Sequence, residues 1–131
     1  VQTDIPTDIS EEDLDRVVRA FYGRVRDDAL LGPIFNNAVD DWEHHLRKLQ
    51  AFWSSVMLWS GRYKGQPMAV HIEQAPHMTP EAFERWLRLW GETTDQLLAP
   101  AAAAALQEKA SRIAESLSFG IAFHRDRGMI P

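Results

Sequence analysis

The chain has 131 residues, 45% of them hydrophobic and 25% charged, which suits one domain and is short for two independent cores. Nineteen Asp and Glu against fourteen Lys and Arg give a formal charge of -5, with no general electrostatic pull toward phosphate backbones, so nucleic acid is not expected as a partner. With no cysteine there is no disulfide scaffold, thiolate metal site or Cys nucleophile, and the longest apolar run, Ala99 to Leu106, is too short and alanine-rich to span a bilayer.

Helical signals dominate in chain order. Ser10-Glu11-Glu12-Asp13 joins a capping hydroxyl to carboxylates suited to a helix N-terminus. Leu14, Val17, Val18, Phe21, Tyr22 and Val25 then recur at three- and four-residue spacing. Gly32-Pro33 is expected to stop any continuation, with Asn36-Asn37 extending the turn. A second helix is predicted from about Asp40-Asp41, with an apolar face of Trp42, Leu46, Leu49, Phe52, Trp53 and Val56, ending before Ser60-Gly61. Gly61, Gly65 and Pro67 rule out a regular helix through that segment, and a short helical turn is predicted from about Pro67 to Glu73. Thr79-Pro80-Glu81 restarts the pattern, and Phe83, Trp86, Leu87, Trp90 and Leu97 follow on one face. Pro100 breaks this helix or starts the next, whose stripe is Leu106, Ala110, Ile113, Ala114, Leu117 and Ile121. The tail after His124 is expected to fray. Four long helices make an all-α domain. Val1 to Ile9 shows no basic leader, so no signal peptide is expected and the chain is read as cytoplasmic, with no membrane partner.

Five tryptophans are a heavy aromatic load for a small helical domain. They are either core ballast or the lining of a pocket for a large flat ligand between helices. His45 lies on the apolar stripe of the second helix and His44 falls about 100° away, toward solvent. His71 sits between Pro67 and Pro76, flanked by Val70 and Ile72. It reads either as an ordinary loop histidine or as an axial ligand, a neutral imidazole donating to iron while its other N–H bonds a carbonyl. Zinc is disfavoured, because no His-Glu-x-x-His or third clustered ligand accompanies it. A serine nucleophile elbow and a phosphate loop are also missing.

The ordered set is more specific than its parts: Phe21-Tyr22, Gly32-Pro33-Ile34-Phe35-Asn36-Asn37, then Trp42, His45, Lys48, Leu49, Phe52 and Trp53. After it come Gly61-x-Tyr63-x-Gly65-x-Pro67-x-x-x-His71 and the pair Trp86 and Trp90. Over about residues 10 to 122 the chain resembles the group III truncated haemoglobins, and the paired glycines of groups I and II are absent. The resemblance implies a single globin domain with the truncated two-over-two helical fold and a haem b cofactor. On it, His71 matches the proximal iron ligand, Tyr22 the distal tyrosine, Trp86 the distal tryptophan and His45 the distal histidine. Phe35 matches the phenylalanine wedged against the porphyrin, and Lys48 stands where a base meets a propionate, with Tyr63 a second propionate candidate. Leu49, Phe52 and Trp90 would line the haem faces.

The implied function is binding of O2, CO, NO or peroxide at a five-coordinate iron with a polar distal pocket. Donors such as Tyr22 and Trp86 would slow O2 release, favouring O2/NO or peroxide chemistry over oxygen transport. Turnover would need a reductase as partner. A ligand sensor or carrier without turnover, and a haem-free helical adaptor, are the alternatives. A colourless protein would mark the last.

Overall fold

The computed structural model describes residues 9–58, 61 and 79–128, with the backbone alone for Ala38 and residues 119–128. Among the described residues there are five helices and no strand: α1 (Glu11–Asp27), α2 (Leu31–Ala38), α3 (Trp42–Leu58), α4 (Pro80–Leu97) and α5 (Pro100–Gly128). The fold is all-α, as the periodicity predicts.

The α1 helix starts in a capping box. The Asp13 amide donates to Ser10 Oγ at 3.0 Å, and the Ser10 amide donates to Asp13 Oδ2 at 3.1 Å. Its stripe of Leu14, Val17, Val18, Phe21, Tyr22 and Val25 is buried along its whole length. The helix ends at Asp28, whose extended backbone breaks the ladder.

Gly32-Pro33 does not stop helix formation; both residues lie in the first turn of α2. Proline is tolerated there because a first-turn N–H has no intrahelical acceptor. Asp28 Oδ2 accepts from the Leu30 and Leu31 amides, each at 2.9 Å, and so covers the exposed donors. Gly32 is needed for a different reason: a Cβ there would lie 2.7 Å from the Arg26 carbonyl oxygen.

At the start of α3, Asp41 Oδ1 accepts the His44 amide at 3.1 Å. Trp53 and Ser54 are buried, while Trp42, Leu46, Leu49, Phe52 and Val56 pack against the core half-buried. Ser54 Oγ donates to Glu11 Oε2 at 2.6 Å, and Gln50 Nε2 donates to Glu11 Oε1 at 3.0 Å, fastening α3 to the first turn of α1. Farther along, Arg19 bonds both oxygens of Glu43, at 3.0 and 2.8 Å.

Thr79 Oγ1 caps α4 by accepting the Ala82 amide at 3.2 Å, with Pro80 in the first turn. Pro100 starts the next helix, and α5 lies on α4 through Ala102, Ala103, Leu106, Ala110, Ala114 and Leu117. Alanine at four of these positions lets the two backbones approach closely. The backbone stays helical past His124 to Gly128, against the expected fraying.

The hub is α1, which packs against α2, α3 and α4. Arg16 donates to the Leu97 carbonyl at 3.2 Å and Arg24 to Thr93 Oγ1 at 3.0 Å, while Asp28 accepts from Arg85 at 2.7 Å. Rising numbers on α1 meet falling numbers on α4, so the two run antiparallel. Among the described residues no helix is long and apolar enough to cross a membrane.

Candidate functional site

Four helices converge on Tyr22. It follows Phe21 on the buried face of α1 and is 5% exposed. Its ring centroid lies 5.9 Å from Phe35 on α2, and 5.9 and 6.1 Å from Trp42 and His45 on α3. Trp86 on α4 meets the neighbouring Phe21 edge to face, with ring centroids 5.5 Å apart. Burial pushes the Tyr22 phenol up to about 12, and the Trp86 side chain, acting the other way, offsets only part of this. The hydroxyl is therefore a proton-bearing donor across the neutral range.

Spacing explains how these groups meet. Phe35 is four residues beyond Leu31, one turn into α2, where it points back at α1. Trp42 and His45 are three apart on α3 and share a face, with ring centroids 5.6 Å apart. The Arg26 guanidinium lies 4.7 Å over the Trp42 ring and holds it from outside. Arg26 Nε donates to Asn36 Oδ1, and Asn36 Nδ2 donates to the Arg26 carbonyl, each at 3.3 Å.

Behind this group is a second aromatic layer. Trp53 and Trp90 stack with centroids 4.7 Å apart, and Trp86 and Trp90 with centroids 6.2 Å apart. Phe21 presents its edge to Trp86 at 5.5 Å and to Trp90 at 4.9 Å. Trp90 is fully enclosed, and its indole N–H donates to the Leu106 carbonyl at 3.1 Å.

Of the residues singled out from the sequence, Tyr22, Phe35, His45 and Trp86 are brought together. Leu49 and Phe52 follow on α3, half-buried, and Lys48 is exposed beside them. Trp90 stands behind Trp86 as its support. Tyr63, His71 and the short turn around Pro67 to Glu73 lie outside the described residues. Sequence reasoning gave no site role to Trp42, Arg26, Asp28 or Arg85. A cation over a ring and an ion pair across 57 residues leave no periodic trace.

Tyr22, His45 and Trp86 are the polar groups of this aromatic cluster. Around Tyr22 the rings of Phe35 and Trp42 stand beside the polar groups of Tyr22 and His45, aromatic and polar groups of the kind that take a large flat ligand. Among the described residues no group of three or more His, Asp or Glu could hold a bare metal ion. A solvent-open cleft of about 600 Å³ beside Leu30 is otherwise lined by Glu81, Glu84, Arg85 and Arg88, and lacks such walls.

No family model matches the chain. It is 39% identical over 89 residues to the group 3 truncated hemoglobin ctb of Campylobacter jejuni, a match covering 65% of this chain and 69% of that protein. The crystal structure of a group III truncated hemoglobin from Campylobacter jejuni matches with a TM-score of 0.78 and 34% identity, over 84% of this chain and 89% of that one. Sequence and fold agree, and the chain belongs to the group III truncated haemoglobins.

Proposed function

We propose that this globin binds haem b through His71 and holds O2 and related small ligands for redox chemistry rather than for unloading. The observation that carries the reading is the buried, protonated Tyr22 phenol ringed by Phe35, Trp42 and His45, with Trp86 on the other side of Phe21. Haem would supply an iron with one open position for O2, CO, NO or peroxide. Tyr22 O–H and Trp86 N–H would donate to a ligand carrying partial negative charge, in a pocket dry enough to strengthen both bonds. His45, whose ring stands near-perpendicular to that of Tyr22, would donate to the ligand, gate its path or coordinate the iron itself. Phe35, Leu49 and Phe52 would exclude water from the ring faces, and Lys48 and Tyr63 would meet the propionates. Trp90 would fix the plane of Trp86 from behind.

The reaction favoured is oxidation of NO by O2, or reduction of peroxide, with electrons from a reductase in the cytoplasm. Mixing the O2-loaded ferrous protein with NO tests this. Stoichiometric nitrate with conversion to the ferric form is expected; NO uptake without nitrate overturns it. Replacing His71 with alanine is expected to abolish or shift the Soret band, and an unaltered band would remove His71 from its role.

A further inference from the structure

We propose that Arg85 is a positioning residue for the distal pocket. Its ion pair with Asp28 ties the start of α2 to α4 and so sets how far apart Phe35 and Trp86 stand across Tyr22. The inference rests on the distal-pocket reading above.

The Asp28 carboxylate is divided between two tasks. Oδ2 accepts the Leu30 and Leu31 amides at 2.9 Å each, and Oδ1 accepts Arg85 Nη1 at 2.7 Å. The Asp28 side chain is 11% exposed and that of Arg85 31%, so water competes weakly for the pair. One carboxylate thus caps α2 and grips α4 at once. Phe35 lies one turn beyond Leu31, and Trp86 directly follows Arg85, so each side of the clamp carries a wall of the pocket.

Phe35 bears on Tyr22 and Trp86 on the adjacent Phe21, but α2 and α4 have little direct contact with one another. An eight-residue helix with Gly32 and Pro33 in its first turn has little stability of its own. Its placement therefore depends on tethers at its ends. Asn36 with Arg26 fastens the far end to α1, and Asp28 with Arg85 fastens the near end to α4. The other arginine bonds between α1 and α4, from Arg16 and Arg24, do not involve α2.

The test uses the haem-loaded protein in its diamagnetic carbonmonoxy form, with the Trp86 indole N–H assigned through Trp86→Phe. Arg85→Met is expected to move the Trp86 indole resonance and to raise the O2 dissociation rate roughly two- to tenfold, the range for weakening one distal donor. Arg85→Lys should return both toward the parent values. A variant that melts earlier while resonance and release rate stay fixed would show a merely structural pair and overturn the proposal. Should Arg85→Met not fold, Asp28→Asn retains an acceptor for the α2 amides, weakens the grip on Arg85 and carries the same expectations. If Trp86→Phe leaves O2 release unchanged, the ligand-holding reading fails, and a resonance moved by Arg85→Met would still support the positioning role.

Discussion

Trp86 and Trp90 lie one turn apart on α4 with their indole planes within 3° of parallel, yet they have different surroundings. Trp90 is enclosed and donates its N–H to the Leu106 carbonyl at 3.1 Å, whereas Trp86 is half-buried beside Phe21. The difference separates a residue that supports the pocket from one that acts in it. Trp90→Phe removes the indole N–H bond to Leu106 and part of the stacked ring, leaving a cavity in the core, so a loss of about 1–3 kcal/mol in urea unfolding is expected. The Soret maximum should hardly move. A large spectral shift without lost stability would place Trp90 against the cofactor instead.

Tyr22→Phe keeps the ring and removes one donor. At about 0.5–1.5 kcal/mol for a net hydrogen bond, O2 dissociation should accelerate roughly 2- to 12-fold in stopped flow. An unchanged rate would exclude the phenol from ligand stabilisation.

The same phenol has an alkaline signature. Its pKa in the fold is raised to about 12 from 10.0, so its contribution to stability is complete below pH 10 and is lost as pH climbs through 12. Ultraviolet titration should show tyrosinate from Tyr22 only near the upper limit. A Tyr22→Phe protein should lack this part of the alkaline destabilisation.

At the acid end, Asp28 acts in the opposite sense. Desolvation raises its pKa, but bonds from the Leu31 amide, Arg85 and the Leu30 amide together outweigh this and hold it below 3.8. A depressed folded pKa means stability that is present above 3.8 and disappears as pH falls through the lower folded value. Asp28→Asn should flatten that acid limb and cost about 1.5–3 kcal/mol at neutral pH, the range for bonds to a charged group. A parent-like acid unfolding curve would contradict the assignment.

Two glycines in neighbouring helices should respond with opposite signs. Gly23 is inside α1, and a methyl group added there would meet nothing within 4 Å, so Gly23→Ala should raise stability by about 0.5–1 kcal/mol. Gly32→Ala would press a methyl to 2.7 Å from the Arg26 carbonyl oxygen and should cost about 1–3 kcal/mol. Thermal melts of the two variants decide both.

Much of the scaffold is legible in the residue order. Ser10 and Thr79 cap where the hydroxyl-then-acid pattern places them, and the stripes from Leu14 to Val25 and from Leu106 to Leu117 are buried. The α2 helix is not legible, because Gly32-Pro33 reads as punctuation unless Asp28, further upstream, is recognised as the group that satisfies its first amides. Periodicity places Trp86 and Trp90 on one face of α4 without distinguishing them. Only the arrival of α5, with its Leu106 carbonyl, does that. Tyr22, Phe35, His45 and Trp86 are recognisable as an ordered set, while Asp28 with Arg85 depends on tertiary placement alone.

The anchoring of α1 bears on how a small molecule gets in. Its polar bonds reach α3 through Glu11 and Arg19, and α4 through Arg16 and Arg24, while Arg26 is bonded to Asn36 of α2. Sliding α1 along its axis would break attachments to three neighbours together, so the scaffold resists breathing as a unit. On the proposed function, entry and escape would then depend on rotation of individual rings about their own bonds, a faster and more local motion than any helix displacement.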